Sequence, residues 1–149
     1  MSRIVASFGG VGFWPVAPGT AGSAVAVVLG AGLMQGPGWL LPVAAATAAV
    51  AGFVFIPRAV TDRDADPGWV VIDEVAGQWV ALLGLAAPSW TGLLTAFLLF
   101  RLVDVWKPGP VGWADRQHGA VGIMVDDLVA GAIVAGLLLA TRFAWPGLL

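Results

Sequence analysis

An all-α membrane bundle of about five helices is the fold class this sequence predicts. Three observations point to it. Hydrophobic residues make up 59% of the 149 positions and charged residues only 11%, too few to cover a water-exposed globule. The segment 4–57 contains no ionisable side chain, and all nine acidic residues fall between Asp62 and Asp127. Several apolar runs have the length that about 30 Å of hydrocarbon demands, roughly 20 residues at 1.5 Å each. The composition excludes disorder. A net charge of −2 without a basic run argues against nucleic-acid binding. With no Cys, disulfides, thiolate chemistry and Cys-ligated zinc are excluded. No signal peptide is expected, because Arg3 leads at once into Gly- and Pro-containing sequence. The whole chain, 1–149, reads as one membrane-embedded domain.

The first expected helix, 20–34, is short for a span, about 22 Å long. The second runs from Trp39 to Ile56 and is closed by Pro57. The apolar stretch from Val75 to Phe100 is too long for one straight span. Pro88 and Ser89 divide it into helices at 70–86 and 90–105. The fifth, 122–141, carries Asp126 and Asp127 in its first turns. Gly30, Gly52, Gly77, Gly131 and Gly136 are read as close-packing positions between helices. Trp residues mostly flank the apolar runs, as an interfacial belt does.

Five alternating spans place Arg3, Arg58, Arg63, Arg101, Lys107 and Arg116 on one side and Arg142 on the other. Excess basic charge marks the cytoplasmic side. The same alternation carries every carboxylate there, so chemistry and topology agree.

Four polar clusters meet on that face. Phe8-Gly9-Gly10-Val11-Gly12, followed by Ala17-Pro18-Gly19-Thr20-Ala21-Gly22-Ser23, is a Gly-rich loop entering a helix. Backbone N–H groups and hydroxyls there suit an anion, or Thr20 or Ser23 simply caps the helix. Asp73-Glu74 opens an otherwise apolar helix. Dipole complementarity explains one acid but not two entering hydrocarbon. Arg101 and Asp104, three apart, share a helix face and form either a local ion pair or a site in which Asp104 serves a cation. In the second case Arg101 or Lys107 takes phosphate. Asp126-Asp127 is a second adjacent pair. Together the two pairs offer hard oxygen ligands of the kind Mg²⁺ takes alongside substrate phosphate. Asp62, Asp64 and Asp66 read as a solvated connection, and the lone His118 as a surface residue.

These stretches resemble bacterial phosphatidylglycerophosphatase A. The resemblance rests on Ala17-Pro18-Gly19-Thr20 with Gly22-Ser23, Ile72-Asp73-Glu74-Val75 with Gly77-Gln78, Phe100-Arg101 with Asp104 and Lys107-Pro108, and Gly122-Ile123-Met124 with Asp126-Asp127 and Ala130-Gly131. They occur in the family's order over about residues 8–131. The departures, at His118–Val121 and Gly109-Pro110, touch no acidic position of these stretches. The resemblance implies a Mg²⁺-dependent enzyme of the bacterial cytoplasmic (inner) membrane. It would dephosphorylate phosphatidylglycerophosphate, a phospholipid, to phosphatidylglycerol on the cytoplasmic side.

The absence of Cys and of paired His removes phosphocysteine and makes phosphohistidine improbable. Attack by water at the metal is favoured over an Asp nucleophile. Asp73, Glu74, Asp126 and Asp127 are assigned to the metal and the attacking water, and Asp104 to a further ligand or the base. Arg101 and Lys107 are assigned to the phosphate, with Gly19, Thr20 and Ser23 as a cradle. The competing reading is a small transporter or ion-conducting protein using the same acids. Their position at helix ends on one side, without an inverted repeat, argues against it. A non-catalytic scaffold leaves the acids unexplained. The Gly-rich faces permit a homodimer.

Overall fold

The computed structural model describes residues 1–60, 67–117, 119–145 and 148. Asp62, Arg63, Asp64, Asp66 and His118 lie outside them. The described residues are helical throughout, with no strand. α1 (Ser2–Ala6) leads through a 3₁₀ turn (Val11–Phe13) into α2 (Pro18–Leu33) and α3 (Leu40–Ala59). α4 (Ile72–Leu82) and α5 (Trp90–Trp106) follow, then α6 (Pro110–Asp115) and α7 (Gly119–Ala144). Two helices, α3 and α7, are long and apolar enough to cross a membrane.

The five expected helices are present, with four corrections. α3 does not close at Pro57 but continues to Ala59. Proline forfeits one i→i−4 bond, and so near the helix end that loss is small. α7 starts at Gly119, so Asp126 and Asp127 lie two turns inside it rather than at its head. α4 is 11 residues long, not the expected 17 of 70–86, and by its rise spans only about 16 Å, well short of a bilayer. Finally, α1, the 3₁₀ turn and α6 were not expected as helices.

α4 is short because it is an inner element. Nine of its residues are buried, and α2, α3, α5 and α7 pack around it. Small residues let the surrounding backbones close in. A side chain at Gly77 would meet the Asp127 carbonyl of α7, and one at Gly131 the Gly77 carbonyl. Gly30 abuts Leu82 and Trp79, and Gly52 abuts Met124. Gly136 is the exception and faces open space. Trp79 also departs from the belt reading. It is buried, and its indole N–H donates to the Ala26 carbonyl of α2 at 2.8 Å. Trp14, Trp39, Trp90, Trp106, Trp113 and Trp145 are exposed, as the belt reading expects.

The break at Pro88-Ser89 is where it was expected. Ser89 caps α5, its hydroxyl oxygen accepting from the Gly92 N–H at 3.0 Å. At the other end of the bundle the Val71 N–H donates to the Ala6 carbonyl at 2.9 Å, tying α1 to the start of α4. Arg3 lies over the Trp69 ring, 4.8 Å from its centroid.

Candidate active site

The first turn of α4, the start of α2, the end of α5, α6 and the first third of α7 surround one cleft of about 460 Å³. Six carboxylates line it, Asp73, Glu74, Asp104, Asp115, Asp126 and Asp127, against two cationic side chains, Arg101 and Lys107. Three of the four sequence clusters are thus gathered whole at one end of the bundle. Arg142 is at the other end, where it donates to the Gly84 carbonyl.

At the cleft floor, one oxygen each from Asp73, Glu74 and Asp127 lie within 4.8 Å of one another. Asp73 and Asp127 are buried and Glu74 is half-buried. Asp73 Oδ1, Glu74 Oε2 and Asp127 Oδ1 are sealed from solvent and have no hydrogen-bond donor among the described residues. Carboxylate oxygens left so are costly unless a proton or a cation completes them. The close approach at Gly77 and Gly131 is what brings α7's Asp127 to α4's acids. Three hard oxygen donors in one cluster fit a divalent cation such as Mg²⁺.

Asp126 stands apart from that trio. Its Oδ2 accepts from Lys107 Nζ at 2.8 Å, and its Oδ1 from the Asp127 N–H at 2.9 Å. Lys107 also pairs with Asp115 of α6. Burial pulls the Lys107 ammonium toward its neutral form, but the two carboxylates outweigh it and hold its pKa above the ordinary lysine value. Lys107 caps α5 in the left-handed conformation (φ 49°, ψ 52°), a strained setting for a non-glycine residue, and so turns its side chain's base back toward α7. Arg101 Nη1 donates to Asp104 Oδ2 at 2.6 Å, the i,i+3 pair that the spacing anticipated.

The Gly-rich cluster contributes less than expected. Pro18 and Gly19 line the cleft, whereas Thr20 and Ser23 do not. Thr20 is exposed on α2. Ser23 is buried, and its hydroxyl donates to the Gly19 carbonyl at 3.0 Å. Neither caps the helix: the N-cap is Ala17, without a side-chain bond. Gly19 matters through what it lacks, since a side chain there would strike Glu74 Oε1 and lie 3.5 Å from Arg101 Nη1. Asp115 was missed in the sequence. The Gly109-Pro110 start of α6 was the available signal that the chain folds back there.

The description phosphatidylglycerophosphatase A matches residues 4–142. A phosphatidylglycerophosphatase A of Escherichia coli is 36% identical over 139 residues, covering 92% of this chain and 81% of that protein. One of Haemophilus influenzae is 31% identical over 137 residues, covering 90% and 84%. A protein of Bacteroides thetaiotaomicron, provisionally described as a phosphatidylinositol-3-phosphatase, is 34% identical over 145 residues, covering 90% and 89%. No solved structure matches significantly. The matched span includes every cleft residue named above, and the chain belongs to the phosphatidylglycerophosphatase A family of phosphatases.

Proposed function

We propose that the chain is a Mg²⁺-dependent phosphatidylglycerophosphatase. It hydrolyses the terminal phosphomonoester of phosphatidylglycerophosphate to phosphatidylglycerol and phosphate. The observation that carries this reading is the trio Asp73, Glu74 and Asp127, one carboxylate oxygen from each lying within 4.8 Å of the others at the floor of a cleft that Arg101 and Lys107 also line. A cleft with six carboxylates and two cations repels a phosphate dianion. Held by Asp73, Glu74 and Asp127, a divalent cation would halve that excess of negative charge, and the chemistry it would supply is neutralisation of the phosphoryl oxygens and a lower cost of water attack.

The remaining groups position the phosphate. Arg101, steadied by Asp104, offers a planar fork to two phosphate oxygens, and Lys107 offers a point charge. Asp126 and Asp115 hold that ammonium in place. Asp126 is therefore better assigned to Lys107 than to the metal. Gly19 provides an uncluttered wall beside Glu74, the Ser23 hydroxyl is bonded to the Gly19 carbonyl, and Thr20 does not line the cleft. Phosphoryl transfer depends chiefly on such positioning and charge neutralisation. Hydrolysis leaves the alcohol on the lipid and the phosphoryl group on the oxygen of water.

We infer further that the protein is a multi-pass protein of the bacterial cytoplasmic membrane with the cleft facing the cytoplasm. The two long apolar helices, the bacterial relatives and the one-sided basic residues support this. A homodimer is compatible with the exposed apolar faces of α2 and α5. The Bacteroides relative makes phosphatidylinositol 3-phosphate the second lipid to assay.

The test is phosphate release from phosphatidylglycerophosphate in detergent micelles, with Mg²⁺, with EDTA, and with Asp73→Asn or Asp127→Asn. Release that needs Mg²⁺ and vanishes in both variants is expected. Release in EDTA overturns the metal assignment. No release from this lipid, alongside release from phosphatidylinositol 3-phosphate, overturns the substrate. Inactivity on both lipids, with ion flux in liposomes, favours the transporter reading.

A further inference from the structure

Gln78 lies one turn beyond Glu74 on α4, completely buried, and neither its amide nitrogen nor its amide oxygen has a partner among the described residues. An unpaired amide in apolar surroundings costs about 1–3 kcal/mol. A Leu or Met would fill similar space without that cost. The positioning contacts described above do not use it.

Residues four apart on a helix are neighbours, so side-chain rotation alone lets Gln78 and Glu74 meet. The two oxygens of Glu74 differ. Oε1 faces the Gly19 wall of the cleft, while Oε2 is sealed inside without a donor. A donor lacking an acceptor therefore sits one turn from an acceptor lacking a donor.

We propose that Gln78 is a positioning residue for Glu74: its carboxamide N–H donates to Glu74 Oε2, keeps Oε1 turned to the cleft, and thereby strengthens binding of a divalent cation by the trio. The inference rests on the metal assignment above. An amide suits this task because it donates without adding charge. A Lys would cancel the site's negative charge, and an ionised Glu cannot donate.

The experiment is a Mn²⁺ titration of the detergent-purified protein followed by electron paramagnetic resonance, with Mg²⁺ as competitor. Thermal unfolding in EDTA is measured alongside. Gln78→Met keeps the approximate shape and removes the donor. Its expected Mn²⁺ affinity is about ten-fold or more below wild type, while its metal-free melting temperature is unchanged or higher. Gln78→Leu, a second apolar replacement, is expected to behave the same way. Wild-type Mn²⁺ affinity in both variants overturns the proposal. So does a metal-free melting temperature that falls along with the affinity, because the amide is then merely structural. If wild type binds no Mn²⁺, or Asp127→Asn binds it equally well, the metal assignment itself fails, which is a distinct result.

Discussion

The backbones of Gly77 and Gly131 are in contact, with no room for a methyl group on either side. That contact joins α4 to α7 and sets Asp127 beside Asp73 and Glu74. Gly77→Ala and Gly131→Ala are each expected to cost about 1–3 kcal/mol through overpacking. They should also abolish activity by parting the acids, although neither residue lines the cleft. Gly136→Ala, which points into open space, is the control and should be neutral or raise the melting temperature, since Ala is the better helix former. Thermal unfolding and phosphate release on the same samples check all three.

Removing one oxygen donor from the trio should be far more costly than removing a hydroxyl of α2. Asp73→Asn or Asp127→Asn is expected to lower kcat by about 10³-fold, the loss of several kcal/mol of charge stabilisation. Thr20→Ala, on an exposed position outside the cleft, should stay within a few-fold of wild type. Equal losses in the two classes would restore the phosphate cradle to the Gly-rich loop.

Mg²⁺ should protect the fold as well as support turnover. At a concentration about 100 times its Kd, a ligand bound only by the folded state stabilises it by about 2.7 kcal/mol. The melting temperature in Mg²⁺ should therefore exceed that in EDTA for wild type but not for Asp127→Asn. A Mg²⁺-independent melting temperature in wild type would count against the trio as ligands.

Lys107 and its two partners should separate in their effects. Lys107→Met removes a charged hydrogen bond to phosphate, worth about 1.5–3 kcal/mol, or roughly 10- to 100-fold in kcat/KM. Asp115→Asn breaks only an exposed ion pair, worth at most about 1 kcal/mol, and a change of only a few-fold is expected. Because the ammonium's pKa is held above the ordinary lysine value, its ion pairs contribute fully below that value. They fade only in strongly alkaline solution. A pH–rate profile should thus show no loss assignable to Lys107 between about pH 6 and 9. A fall in that window, absent from Lys107→Met, would contradict this.

Gly19→Ala probes the cleft wall. The added methyl strikes Glu74 Oε1 near Arg101, while the helix itself gains from Ala. Activity should fall with stability kept, read by phosphate release beside a melting curve.

Much of this was legible in the residues. Two adjacent acid pairs and the Arg101–Asp104 spacing marked the cleft, because charge is so sparse here that each charged residue stands out against an apolar background. Helix ends were less legible. α7 begins before its apolar run, and α4 is shorter than its own, since hydropathy reports what the surroundings tolerate and not where the chain turns. Trp79 was misplaced for a related reason. Its indole N–H is satisfied by Ala26, a residue 53 positions away in sequence, so nothing local distinguished it from the exposed tryptophans. The role of Asp126 depended on Lys107 being curled back by a left-handed cap, which no spacing encodes.

The shortness of α4 bears on how the protein is made. Eleven residues cannot cross a bilayer unaided, so this segment has no stable resting place until its neighbours enclose it. Two of those neighbours precede it in the chain and two follow, the last being α7. Enclosure of α4 and assembly of the Asp73, Glu74 and Asp127 cluster therefore both wait for α7. A chain halted before its final helix holds Asp73 and Glu74 but neither the helix that shelters them nor the third acid.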